Sequence, residues 1–254
     1  MGVTDLKLVD FSRPAPAETP DIRHLTTRGG VAELAPTAYG DSSACLGLAL
    51  ACGPAQCAGM AVWVRQSSAR LDRGQPQPDG LARLGVAPDR LMAVETRRRR
   101  DALWAVEEAV KSGTVGVVLA ELDGIDFTAS RRLSLASAAS GVPALLLLPH
   151  GRAGATAADS RWRIAACPSA PNRLDPRAPG ALRWQAVLER SRQAPGAAGL
   201  VRTLELDHET LSLRVVSTLA GGPAAPDPPQ GQPAGPVSSP GGRGDAEAGW
   251  QRTG

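Results

Sequence analysis

A chain of 254 residues with 43% hydrophobic side chains can build one sizeable core with tails, but at 3% aromatic residues that core must come mostly from Leu, Val and Ala. A net charge of +3 permits contact with nucleic acid but does not demand it, since a dedicated DNA-binding domain shows a concentrated basic face, and no apolar run approaches the roughly 20 residues of a membrane span, so no membrane partner is expected. The opening MGVTDLKLVDFSRPAPAETP lacks the apolar centre of a secretory signal, which predicts a cytoplasmic protein with its four cysteines as reduced thiols.

Residues 1–28 are polar and punctuated by proline, and read as a variable lead-in. GGVAELAP (29–36) predicts a strand entering the fold, and SSACLGLALAC (42–52) a small-residue helix. Cys45 and Cys52 stand on that helix as core residues, and no cysteine spacing fits a zinc site. AGMAVWVRQ (58–66) predicts a second, buried strand, the Pro/Gly/Asp cluster at 72–80 a loop, and RLMAVET (90–96) a third strand. In RRRRDALWAVEEAVKSG, Leu103, Val106 and Val110 recur at helical spacing and Gly113 supplies the stop. A strand at 114–121 follows and ends on Glu121. Asp126 or Thr128 can cap the helix TASRRLSLASAAS, which Gly141 ends, and VPALLLLPH is a further apolar strand ending near His150. Strands alternating with helices predict an α/β fold, a mostly parallel sheet with helices on both faces.

After His150 the period changes. The segments 160–168, 181–190, 199–208 and 211–219 alternate, with Trp162 and Ile164 facing one way and Arg161 and Arg163 the other. They predict a C-terminal antiparallel extension of the sheet, with DHET (207–210) as a hairpin turn. From residue 221 the chain is rich in Pro and Gly without apolar period and predicts a disordered tail, 221–254. The expected organisation is one domain, 29–220, between that tail and the lead-in.

An acid ending a buried strand holds the magnesium of a nucleotide in many α/β hydrolases, but only with a Gly-Lys-Ser/Thr loop in the same sheet. The stretch where that loop belongs reads PTAYGDSSACLG. Gly40, Ser42 and Ser43 suit a loop, yet the only lysines are Lys7 and Lys111, and Asp41 puts a negative charge where a triphosphate would sit. Gly40, Asp41, Ser42, Ser43, Glu121 and His150 therefore read as a degenerate nucleotide site. Glu121 is expected as a solvent-facing acid at the sheet's C-terminal edge, and His150 as a loop histidine. No catalytic residue, metal or cofactor is expected, and the protein reads as a non-enzyme.

Arg97, Arg98, Arg99 and Arg100 open a helix whose first turn favours acids, with Glu95 and Asp101 as partial compensation. The run is a candidate contact for nucleic acid or an acidic partner. Arg131 and Arg132 are expected to begin the next helix in the same way.

The stretches RLMAVETRRRRDALWAVEEAVKSGTVGVVLAEL, DFTASRRLSLASAASGVPALLLL and SRWRIAACPS resemble the ImuA family, also described as SulA-like, within the RecA superfamily. The resemblance spans about residues 29–219. It implies a RecA-like fold and an accessory factor of SOS, DNA-damage-induced translesion mutagenesis, a DNA-repair setting. Such a factor works with an ImuB-like polymerase homologue and an error-prone polymerase subunit, with RecA or single-stranded DNA as further candidate contacts. It would also place DNA-binding loops after the last parallel strand, near Arg152, Arg161 and Arg163. Two other readings stay open: a SulA-like inhibitor of cell division acting on a cytoskeletal GTPase, and a RecA-like ATPase with an atypical phosphate loop.

Overall fold

The runs VAELAP, AVWVRQ, VVLAE and ALLL are buried along their whole length, and strands of that kind need cover on both faces. A computed structural model describes residues 21–22, 29–68, 74–151, 154–172, 174–175 and 177–219. Strands β1 (Val31–Pro36), β2 (Ala61–Gln66), β3 (Leu91–Thr96), β4 (Val117–Glu121), β5 (Ala144–Leu147) and β6 (Ser160–Cys167) are parallel, in the order β3-β2-β4-β5-β1-β6. Strands β7 (Arg183–Ser191), β8 (Val201–Leu206) and β9 (Leu213–Leu219) continue the same nine-stranded sheet as antiparallel neighbours. The fold is α/β, mostly parallel, with an antiparallel C-terminal extension.

One strand departs from expectation. The alternation of 160–168 predicts an antiparallel strand, but β6 lies parallel to β1, with Glu33 opposite Arg161, and is antiparallel only to β7. Alternation reports which face of a strand is covered, not its direction. Direction is set by the connection from β5, whose residues 156–157 bond Ser130 and Ser134 and so return the chain to the start of the sheet.

Helix α1 (Ser42–Cys52) is apolar nearly all round and correspondingly buried. It sits on one face of the sheet, in a core with Leu48, Leu119, Leu147, Trp162 and Trp184, and both Cys45 and Cys52 are buried there. Burial foremost, with Asp21 adding, pushes the Cys52 thiol well above its usual range and leaves it inert. Part of the expected loop at 72–80 is instead the start of α2 (Pro78–Arg83): Pro78 stands in the first turn, where its missing N–H costs nothing, and Leu81 is buried.

Helices α3 (Arg99–Lys111) and α4 (Phe127–Ser140) lie side by side on the opposite face, over a core that includes Ala102, Val106, Val110, Leu133 and Leu146. Asp126 caps α4 by accepting from the Ala129 N–H at 2.8 Å, and Gly141 ends it at φ 76°, a left-handed conformation suited to glycine.

The antiparallel strands add Trp184, Leu188, Leu204 and Leu206 to the α1-side core only. Their other face carries ion pairs between neighbouring strands: Arg163–Glu189 at 2.5 Å, Arg183–Glu205 at 2.7 Å and Arg214–Glu205 at 3.1 Å. The DHET turn forms as expected. The Asp207 carboxylate accepts from the N–H groups of Thr210 and Glu209, each at 3.0 Å, and these bonds hold it below the usual carboxylate range.

Within the expected lead-in, Ile22 is fully buried in the α1-side core and Asp21 lies 3.1 Å from Arg202. The rest of that segment and the expected tail lie outside the described residues. Among the described residues, no helix is long and apolar enough to cross a membrane.

Candidate functional site

Open parallel sheets bind ligands in the crevice beyond the carboxyl ends of their strands. At the end of β1 the connection to α1 is residues 37–41, exposed at 37–40, and several of its polar groups are bonded within the chain. Thr37 N–H donates to Ile164 O at 2.8 Å. Asp41 accepts from Ala38 N–H through Oδ2 and from Ala166 N–H through Oδ1, both at 3.0 Å. Ser42 Oγ donates to Tyr39 O at 2.9 Å, and Ser42 and Ser43 are already the first residues of α1. A phosphate cradle needs successive amides aimed at the ligand. Here the Asp41 carboxylate takes one loop amide and staples the loop to β6. Gly40 has open space around its α-carbon and no close neighbour that would exclude a side chain. His150 is exposed beyond β5, with Nδ1 3.4 Å from Pro36 O, as fits a loop histidine.

Glu121 is not the solvent-facing acid its position suggests. It is 0% exposed, and Arg65 Nε donates to its Oε1 at 2.8 Å from the paired position on β2. The Arg65 guanidinium also lies 4.5 Å above the Trp63 ring and donates to Gly74 O at 2.8 Å. The strand ends are covered at this point, so an acid persists only with a counter-charge beside it. The visible signal is that β2 and β4 both close an apolar run on a charged residue, of opposite sign.

A second buried acid, Glu33 in mid-β1, escaped notice in the sequence. It accepts from Arg161 Nε at 2.8 Å and from Thr156 Oγ1 at 2.5 Å. Arg161 and Arg163 thus lie within β6, paired to Glu33 and Glu189, and not in a DNA-binding loop; the strand that follows β5 is itself parallel. Arg152 lies outside the described residues.

The arginine run stands where expected, with one refinement: Arg98 is the N-cap of α3 and Arg97 precedes it. All four side chains are exposed, and among the described residues Arg100 pairs with Asp101, at 3.6 Å. Arg131 and Arg132 are not at a helix start, because Asp126 caps α4 more than a turn earlier; they occupy its second turn. Arg132 bonds Glu107 of α3, which Lys111 also bonds at 2.7 Å. The Lys111 hydrogen bond first, then the Arg132 charge, holds the Glu107 carboxyl below the usual range. Two grooves, of about 710 and 490 Å³, flank this cluster along the α3–α4 seam. Trp104 and Leu135 border them, 65% and 63% exposed. Trp104 falls off the buried Ala102–Val106–Val110 stripe, and it was no part of the Leu103, Val106 and Val110 spacing read in the sequence.

The described residues thus form a mostly parallel α/β fold in which Asp41 ties the first-strand loop to β6 and the arginine run stands exposed at a helix start. No family model matches the chain. Two proteins called Protein ImuA, from Caulobacter vibrioides strains NA1000 / CB15N and ATCC 19089 / CIP 103742 / CB 15, are each 36% identical to it over 172 residues, 64% of this chain and 68% of the relative. The chain belongs to the ImuA family. The solved structure of SulA from Pseudomonas aeruginosa aligns at a TM-score of 0.37 and 19% identity, over 47% of this chain and 97% of that one, too weak a likeness to bear on fold or function.

Proposed function

We propose that the protein is a non-catalytic accessory factor of DNA-damage-induced translesion mutagenesis, acting with an ImuB-like polymerase homologue and an error-prone polymerase subunit. Membership of the ImuA family is the observation that carries this reading. The geometry of the β1–α1 loop supports the non-catalytic part: Asp41 engages the loop and β6 amides from within, and no lysine stands in residues 36–47. The arginine run at the start of α3 supplies an exposed cationic surface suited to a partner or to single-stranded DNA. On this reading the protein is a RecA-like scaffold that works by contact alone, in the cytoplasm.

Deleting the chain from a host carrying it should reduce ultraviolet-induced mutation to the undamaged background, and the tagged full chain should co-purify with the polymerase-like protein. Unchanged induced mutation would overturn the reading, and filamentation of cells on overexpression would favour division control. Isothermal titration with ATP and magnesium is expected to show no micromolar site. A saturable site whose heat disappears in Asp41→Ala would overturn the scaffold reading and restore nucleotide chemistry to this loop.

A further inference from the structure

Helices α3 and α4 each follow the carboxyl end of a parallel strand, so both begin at the same edge of the sheet. The positive ends of two helix dipoles therefore lie together, and this chain adds Arg97–Arg100 at one and Arg131 and Arg132 in the second turn of the other. Helix termini of that polarity favour acids, so the isolated domain gains no stability from placing arginine there. Trp104 stands one helical turn beyond Arg100, and Leu135 one turn beyond Arg131, which puts a large exposed apolar side chain just behind each cationic start. Between them runs the seam with its two grooves, bridged at the middle by Arg132, Glu107 and Lys111.

We propose that this seam docks an amphipathic segment of a partner protein, acidic at the end that lies over the two helix starts and carrying large apolar side chains along its length. The proposal rests on the accessory reading above and names the chemistry of the contact. An acidic end meets the arginines and the dipole ends, while apolar anchors cover Trp104 and Leu135 and fill the grooves, the arrangement by which helices commonly lie in grooves. The seam suits a peptide better than a nucleic acid. Glu107 in its middle and Asp126 at its margin would oppose a continuous phosphate chain, and the lining at Leu103, Leu133 and Ala136 offers apolar contact along the helix axis. A second copy related by a two-fold axis would bring the same net-cationic face against itself.

The test titrates the full chain with a fluorescein-labelled synthetic peptide in which four glutamates precede an amphipathic stretch bearing Leu and Phe at helical spacing. Saturable binding is expected. Trp104→Ala should weaken it about 10-fold or more, the size of a central aromatic anchor. The double variant Arg99→Glu/Arg100→Glu should weaken it comparably at low salt and less at high salt. Moving the glutamates to the peptide's other end should also weaken it. All the substituted side chains are exposed, and acids suit the helix start, so thermal midpoints should not fall below the parent's, which excludes unfolding as the cause. Equal affinity for parent and both variants overturns the proposal. So does displacement of the peptide by an oligothymidine, which would make the seam a nucleic-acid surface, or a concentration-dependent dimer abolished by Trp104→Ala, which would make it a self-interface. If Trp104→Ala co-purifies with the polymerase-like protein as well as the parent does, the groove is wrong and the accessory role stands. If the parent does not co-purify with it while the peptide still binds at the seam, the accessory role fails and the groove stands.

Discussion

Glu121→Ala should destabilise the fold by about 3–5 kcal/mol, the usual penalty for removing one partner of a buried ion pair. The substitution takes away the carboxylate that Arg65 Nε donates to at 2.8 Å, while Arg65 keeps its bond to Gly74 O and its place over Trp63. A guanidinium whose side chain is 4% exposed cannot replace the lost partner with bulk water. The double variant Arg65→Met/Glu121→Leu removes both charges at once. It should recover most of the loss, because burying a charge pair gains little over apolar groups of similar volume. Urea unfolding followed by circular dichroism separates these outcomes. A loss below about 1 kcal/mol for the single variant would mean that water reaches the pair. The same experiment bears on function: a catalytic or metal-holding acid can be replaced with little harm to the fold, whereas Glu121 is expected to be needed for folding first.

The second large effect concerns the N-terminal segment. Ile22→Ala should cost about 2–5 kcal/mol, the range for emptying a fully buried aliphatic site. Ile22 is 0% exposed, in the core that α1 shares with Trp162 and Trp184. Deleting residues 1–28 should cost at least as much, since it also removes Asp21 from beside Arg202, whose side chain is only 13% exposed. The measurement is a comparison of unfolding midpoints for the parent, Ile22→Ala and the deletion. A deletion that leaves the midpoint within a degree of the parent would show that the segment contributes nothing to the core. A trimmed chain beginning at residue 29, as composition alone recommends, is on this account the wrong starting point for binding studies of the arginine face.

These two substitutions and Trp104→Ala divide the molecule's residues by what they support. Glu121 and Ile22 hold the sheet together and should lower stability when replaced. Trp104 is 65% exposed, and its replacement should change binding while the unfolding midpoint stays close to where it was. The contrast follows from burial: an exposed side chain on a packed helix has few intramolecular contacts to lose.

The local elements were legible in the sequence because their determinants are local. The α1 helix matches SSACLGLALAC to the residue, Gly141 stops α4 as expected, Asp126 is the one of the two offered caps that the helix uses, and the DHET turn joins β8 to β9. The lack of a lysine between β1 and α1 needed no structure to see. What tertiary structure alone decided is which distant groups meet. Arg65 and Glu121 are 56 residues apart, and Glu33 and Arg161 are 128 apart. Periodicity says that a face is covered but not by what, so an acid at a strand end reads as solvent-exposed until its cover is known. The direction of β6, the burial of Ile22 and the alignment of two arginine-bearing helices at one edge have the same origin. Each depends on how the sheet orders its strands, and that order comes from packing summed over the whole core, not from any window of the chain.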